Sequence, residues 1–386
     1  MPDFIAARRG GETTRAAIKK LNDSLGSTMV MRDSAKPRDT FLLVRGVYDQ
    51  PDKSQSIQPG VPASLPGLAK RRANRLDLAQ WLTDPDHPLT ARVTVNRYWQ
   101  HFFGIGLVKT TEDFGVQGER PEHHRLLDWL ATEFVQSGWN VKHLHRLIVT
   151  SAAYRQASAV TPELLERDPQ NRLIARGPRH RMTAQAIRDQ ALAISGNLWD
   201  RMGGPPVKPY QPPGVWSDFS YGKIVYKRDG GEALYRRSLY TIWKRTSPPP
   251  SMVTFDASRR SFCVMKRQTT TTPLQALVLM NDPQYVEAGR KLAERMLTEG
   301  GASVRDQLQF AFRLLTSRHA SDRELDVLEN LYQTQVTRFD GDMKSRDALL
   351  TVGDSRAAAS LPKSPLAAHA VVAGMLMSYD QCVMKR

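Results

Sequence analysis

The side chains that come nearest to a chemical pattern in this sequence are basic. Arg97 and His101 are four residues apart, one helical turn, with Asn96 beside the arginine. On a helix the arginine and histidine project from the same side, and a guanidinium there offers a planar fork of donors suited to an oxyanion. A plain solvated face has the same look. Lys266 and Arg267 form a second group, just ahead of the four threonines 269–272 and Pro273. Hydroxyls and free backbone N–H groups at such a helix start favour negative charge, and ordinary capping uses the same residues. The candidate ligand-binding residues are therefore Asn96, Arg97, His101, Lys266, Arg267 and Thr272. No catalytic residue is assigned.

Other chemistries lack their spacing. Among the nine histidines, His143 and His145 are the obvious pair. On a helix turning ~100° per residue they stand roughly 160° apart and cannot share an ion. The neighbours His123 and His124 diverge in the same way, so no metal site is expected. Ser151 lacks the Gly-x-Ser-x-Gly setting of a nucleophile elbow. Glu112 and Asp113 do not make the paired carboxylates of a glycosidase. Gly104 and Gly106 suggest a tight turn, and a lone Gly-x-Gly does not define a phosphate loop. Cys263 and Cys382 are the only cysteines, and the absence of a Cys-x-x-Cys-His run excludes covalent haem c within the chain.

Helical elements are expected to position the candidates. Val95, Tyr98, Trp99, Phe102 and Phe103 form one apolar stripe, ended by Gly104, which leaves Arg97 and His101 on the opposite side. Asn74, Asn140, Thr183, Thr272 and Asp282 are placed to cap helices, the last two each followed by a proline at the first helical position, and Ser321 with Glu324 makes a capping box. Pro121 and Pro365 are expected to open two further helices. Strands are expected at 40–45 and 237–243. The stretch 205–236 is rich in Pro and Gly and carries Tyr210, Trp216, Phe219, Tyr221 and Tyr226; it is expected to lie over the polar face of Arg97 and His101. The pattern predicts a mainly α protein, a multi-helix orthogonal bundle-like domain with a few short strands and long Pro/Gly-rich loops.

Composition sets outer limits. Apolar residues make up 40% and charged residues 24%, which fits a globular chain, and no run approaches the ~18 apolar residues of a membrane span. Lys and Arg number 55 against 39 Asp and Glu, a net charge of +16. That excess favours acidic partners, though a basic solvated surface accounts for it equally. Short clusters stand at Lys70, Arg71, Arg72 and Arg75, at Arg179 and Arg181, and at Arg259, Arg260, Lys266 and Arg267. Near the N-terminus an amphipathic piece with Ile18, Leu21 and Leu25 on one side needs a covering surface, and no signal peptide is encoded.

Several blocks, in order, resemble the planctomycete-type domain of unknown function found C-terminal to planctomycete cytochrome c domains. They are TFLLVRGVYDQ at 40–50, VNRYWQHFFGIGLV at 95–108, DFG at 113–115, LLDWLATEF ending at Phe134, RRSLYTIWKRTSPPPSMVTFDA at 236–257 and the long block 263–296, with LMSYDQ near the end. Ser378 stands where that pattern carries Asn. The resemblance implies that residues 28–386 form one large domain and that 1–27 are the remnant of an upstream domain or linker. It also implies an extracytoplasmic protein whose haem c belongs to an upstream cytochrome c-like domain, this chain binding no cofactor itself. On that basis the chain reads as a non-haem interaction or substrate-binding module. An enzyme acting on a polymeric, anionic carbohydrate is the first alternative. A nucleic-acid-binding protein is the second, with charge alone in its favour.

Overall fold

Helices account for most of the chain, and local capping sets where many of them start. The computed structural model describes residues 2–35, 38–68 and 73–385, so Lys70, Arg71 and Arg72 of the first basic cluster lie outside the described residues. The chain divides into two units, Met1–Thr90 and Ala91–Arg386.

The first unit holds helix α1 (Pro2–Ser24), an antiparallel hairpin of β1 (Thr40–Leu43) and β2 (Pro51–Ile57), and helix α2 (Arg75–Leu82). The strand expected at 40–45 ends early, because Val44–Gly46 turns with Arg45 at φ 52°. Asn74 accepts from the N–H groups of Leu76 and Asp77 while Asp77 answers the Asn74 N–H, a complete capping box. Trp81 then donates its indole N–H to the Pro66 carbonyl at 2.6 Å. Ile18, Leu21 and Leu25 stay exposed on and just beyond α1.

The second unit starts along α3 (Thr90–Phe103), which packs with α4 (His124–Gln136) and α5 (Val141–Thr150). Val95, Trp99 and Phe103 of the predicted stripe are buried against Leu127, Leu130, Phe134, Leu144 and Ile148. Helix α4 begins at His124 instead of at Pro121. There follow α6 (Pro162–Arg167), β3 (His180–Arg181), α7 (Ala184–Ile194), α8 (Val215–Phe219) and α9 (Pro250–Thr254). Next come α10 (Pro273–Asn281), α11 (Pro283–Glu299), α12 (Val304–Thr316), α13 (Asp322–Gly341) and α14 (Met343–Leu350). The chain closes with α15 (Lys363–Ser378), α16 (Asp380–Val383) and β4 (Met384–Lys385).

Helix α15 is the centre of the larger core. Its sequence is apolar on every side, as suits a helix surrounded by others, and it packs on α11 and α13. Gly289 of α11 permits this approach, since a Cβ there would already meet the Ala370 carbonyl at 3.3 Å. The mainly α class read from the sequence holds, with two small antiparallel sheets among the described residues. The strand expected at 237–243 does not form. Ser238–Tyr240 is a single 3-10 turn, and Thr241 makes only an isolated bridge to Val207. The guanidinium of Arg188 takes the carbonyls of Leu234 and Arg236, which orients this backbone toward a buried side chain instead of a neighbouring strand.

Candidate functional site

Asn96 turns away from the polar face. It is fully buried, donating to the Val108 carbonyl at 3.0 Å and accepting from the Val108 N–H at 2.8 Å. This pairing folds residues 104–108 back on α3, and it needs Gly106, where a Cβ would come within 2.7 Å of the Asn96 amide nitrogen. Arg172 completes the clasp by donating to the carbonyls of Gly106 and Leu107 at 2.8 and 2.9 Å. Gly104 adopts φ +79°, and a Cβ there would lie 2.8 Å from the His180 ring. The two glycines thus serve close packing.

Arg97 and His101 are exposed. The aromatics of 205–236 go elsewhere: Tyr210 bonds to Glu287, Tyr226 donates to the Pro209 carbonyl at 2.7 Å and stacks edge-on against Trp216, and Phe219 and Tyr221 face solvent. The expected aromatic cover over Arg97 and His101 therefore does not form, because the stretch is anchored on α11.

Basic groups from other segments gather there instead. In the β3–β4 ladder His180 stands opposite Lys385. The Lys385 ammonium donates to the Phe102 carbonyl at 3.2 Å, beside His101, and lies over the rings of Phe102 and Tyr154. From α5, His145 sets its ring edge-on to Tyr98 and Phe102, at 4.8 and 5.1 Å between centroids. Arg267 donates to Gln185 at 3.1 Å and feels the charges of Arg260 and Arg97. Of the six candidates, Arg97, His101 and Arg267 come together. Lys266 and Thr272 are exposed in the neighbouring segment; Thr272 makes no capping bond, and Thr270 bonds Asp256 in the run of threonines.

The electrostatics of this cluster are repulsive. Partial shielding of the His101 ring from water, then the charges of Arg97, Arg267, His145 and Lys385, hold its protonation below the usual histidine range. Burial, then Lys385 and His101, push His180 down to about 4 against the pull of a hydrogen bond with the His101 backbone. Burial and the neighbouring Arg260 and Arg97 likewise lower Arg267. Cations that disfavour one another in this way are eased by a bound anion.

A second concentration of charge, not anticipated from the sequence, is buried on α11. The Glu287 carboxylate accepts from the hydroxyls of Tyr210 and Tyr235, both at 2.8 Å, and from the N–H and hydroxyl of Ser355 at 2.7 and 2.6 Å. Arg290, fully buried, donates to Glu294 at 2.8 Å and to the Ser355 carbonyl at 2.7 Å. Burial, then the bond to Glu287, raise Tyr235 to about 12 and move Tyr210 further in the same direction. Glu287, Arg290 and Glu294 fall at i, i+3 and i+7, on the inner side of α11, and charges at that spacing within an apolar stripe were the signal to read. The carboxylate of Glu287 has its acceptor positions filled by the protein, so this network is a fastening.

No group of three His, Cys, Asp or Glu among the described residues is placed to share a metal ion. No helix among them is long and apolar enough to cross a membrane. Cys263 is exposed and Cys382 is buried, and the two are not joined in a disulfide.

The chain belongs to the family described as PSD1, protein of unknown function (DUF1553), which it matches over residues 74–332. That description assigns no activity. No curated protein and no solved structure matches the chain.

Proposed function

We propose that this chain is a non-haem binding module for an acidic polymer, read by Arg97, Arg267 and Lys385 around His101. The observation that carries the reading is that the cations acting on His101 come from separate segments: Arg97 from α3, Arg267 from the segment before α10, and Lys385 from β4, whose ammonium donates to the neighbouring Phe102 carbonyl. Cations gathered by the fold from separate segments are what a receptor for negative charge requires. The adjoining residues 257–281 extend the surface, with Arg259, Arg260, Lys266 and Arg267 and no acid among them. An extended ligand such as an anionic polysaccharide suits a cluster that continues along the chain in this way. The resemblance noted above supports an exported protein in which the module serves an upstream cytochrome c-like domain, haem c being held there and no cofactor in this chain.

The test is titration calorimetry of the full chain with size-defined sulfated and uronic oligosaccharides, with duplex DNA as the competing ligand. Saturable binding that weakens with salt is expected for the saccharides. Replacing Arg97 and Arg267 by Ala together should weaken it by roughly a hundredfold, on the basis of ~1.4 kcal/mol, a factor of ten, for each arginine. Unchanged affinity in that double variant, or preference for DNA, would remove the proposal.

A further inference from the structure

Resting on the anion-binding reading, we propose that binding at this site takes up one proton through His101, so that affinity for an oxyanion rises as the medium acidifies. His101 stands one turn from Arg97 on its own helix. Beside it Lys385 from β4 donates to the Phe102 carbonyl at 3.2 Å, and His145 from α5 sets its ring edge-on to Phe102 at 5.1 Å between centroids. His180 from β3 lies against Gly104, and Arg267 acts on His101 from the segment before α10. The carboxylates nearest in sequence to Lys385 and Arg267 are already engaged. Asp380 pairs with Arg179 at 2.6 Å, and Asp256 accepts from Arg181 and from Thr270. A proton on the empty site therefore adds one more cation to a crowd of cations. With an oxyanion among them the sign reverses, and the imidazolium becomes one of the ligand's donors.

The remaining imidazoles do not share the role. His180 has its Nδ1 enclosed against Gly104 without a partner, and it stays neutral down to about pH 4. His145 is walled by Tyr98 and Phe102, with its Nε2 buried and without a partner. His101 is the exposed one. By linkage, affinity is level above the ligand-bound titration point of His101, rises by up to about tenfold per pH unit below it, and levels again below the free titration point.

The experiment uses the full chain and a sulfated hexasaccharide, whose sulfate esters do not titrate near neutrality, so that any proton taken up is the protein's. Calorimetry at pH 6.5 in buffers of differing ionisation enthalpy counts the protons, and a series from pH 8 to 5.5 follows affinity. Uptake of up to one proton is expected for the natural chain, none for His101→Gln, and undiminished uptake for His180→Gln. Binding without proton uptake in the natural chain, or uptake that survives His101→Gln, overturns this inference alone. Absence of binding at every pH overturns it together with the anion-binding reading.

Discussion

The α11 network around Glu287 and the outer face of α3 around His101 use the same side-chain chemistry to opposite ends. On α11 a carboxylate is ringed by two tyrosine hydroxyls, a serine and an arginine, and water is excluded. On α3 arginine, lysine and histidine repel one another beside solvent. Perturbed titration occurs at both, so perturbation alone does not mark a binding site. The sign and the satisfaction of the group do: burial with a full set of partners indicates structure, and like charge without a counter-charge indicates room for a ligand.

The comparison is broken most directly at Glu287. Glu287→Ala leaves the hydroxyls of Tyr210 and Tyr235 and the N–H of Ser355 without their acceptor, takes a carboxylate 3.8 Å from the buried Arg290, and should cost about 3–5 kcal/mol in urea unfolding. Gly353→Ala should behave similarly, because Gly353 sits at φ +98° directly against the Glu287 carboxyl. A small effect in both would mean that the network is not a fastening.

Arg188→Lys comes next. The guanidinium reaches Gln284 and the carbonyls of Leu234 and Arg236, all within 2.7 Å, and a single ammonium cannot span that fork. A loss of about 2–3 kcal/mol is expected, from two charged hydrogen bonds that go unmade. Full retention of the melting temperature would show that the positive charge alone suffices.

Acid should weaken the core through His369, which is buried on α15 with Nδ1 bonded to the Pro365 carbonyl at 2.9 Å and Nε2 without a partner. Burial lowers its pKa, so below about pH 6.5 the unfolded chain binds the proton first. Stability is therefore complete above that pH and declines as pH falls toward the folded pKa, by up to about 1.4 kcal/mol per unit. Chemical unfolding at pH 7.5 and 5.5, compared with His369→Leu, should show a smaller pH effect in the variant.

The smallest effect belongs to the exposed cluster. Arg97→Ala and Arg267→Ala should each change unfolding free energy by no more than about 0.5 kcal/mol, with a tendency to stabilise, since each removes repulsion. A clear loss of stability in either variant would assign that arginine to the scaffold and take it out of the proposed site.

What was legible in the sequence was mostly local. Asn140, Thr183, Asp282 and Ser321 cap where their side chains say they should, because a cap acts within three residues of itself. The stripe on α3 was readable for the same reason, whereas Asn96 was misplaced: with Trp99 and Phe103 it falls at i, i+3 and i+7, on the buried side. The turn at Ser238–Tyr240 was not legible, because the donor that decides it, Arg188, lies far back in the chain. Nor was the meeting of Arg97 with Arg267 and Lys385, which depends on a two-residue ladder between β3 and β4.

The stretch 205–236, with its prolines and glycines, has the composition of a flap. Arg236 instead reaches across its start, donating to the carbonyls of Arg201, Gly203 and Pro205, and Arg188 holds its end. Swinging it open would strand two guanidiniums away from water and away from their carbonyls. It therefore has no inexpensive local opening and shares the cooperative unit of α7 and α11. In hydrogen exchange the amides of Trp199, Val207 and Ile242, bonded to Tyr235, Tyr240 and Val207, should come off with the helical core, at the rate of global unfolding.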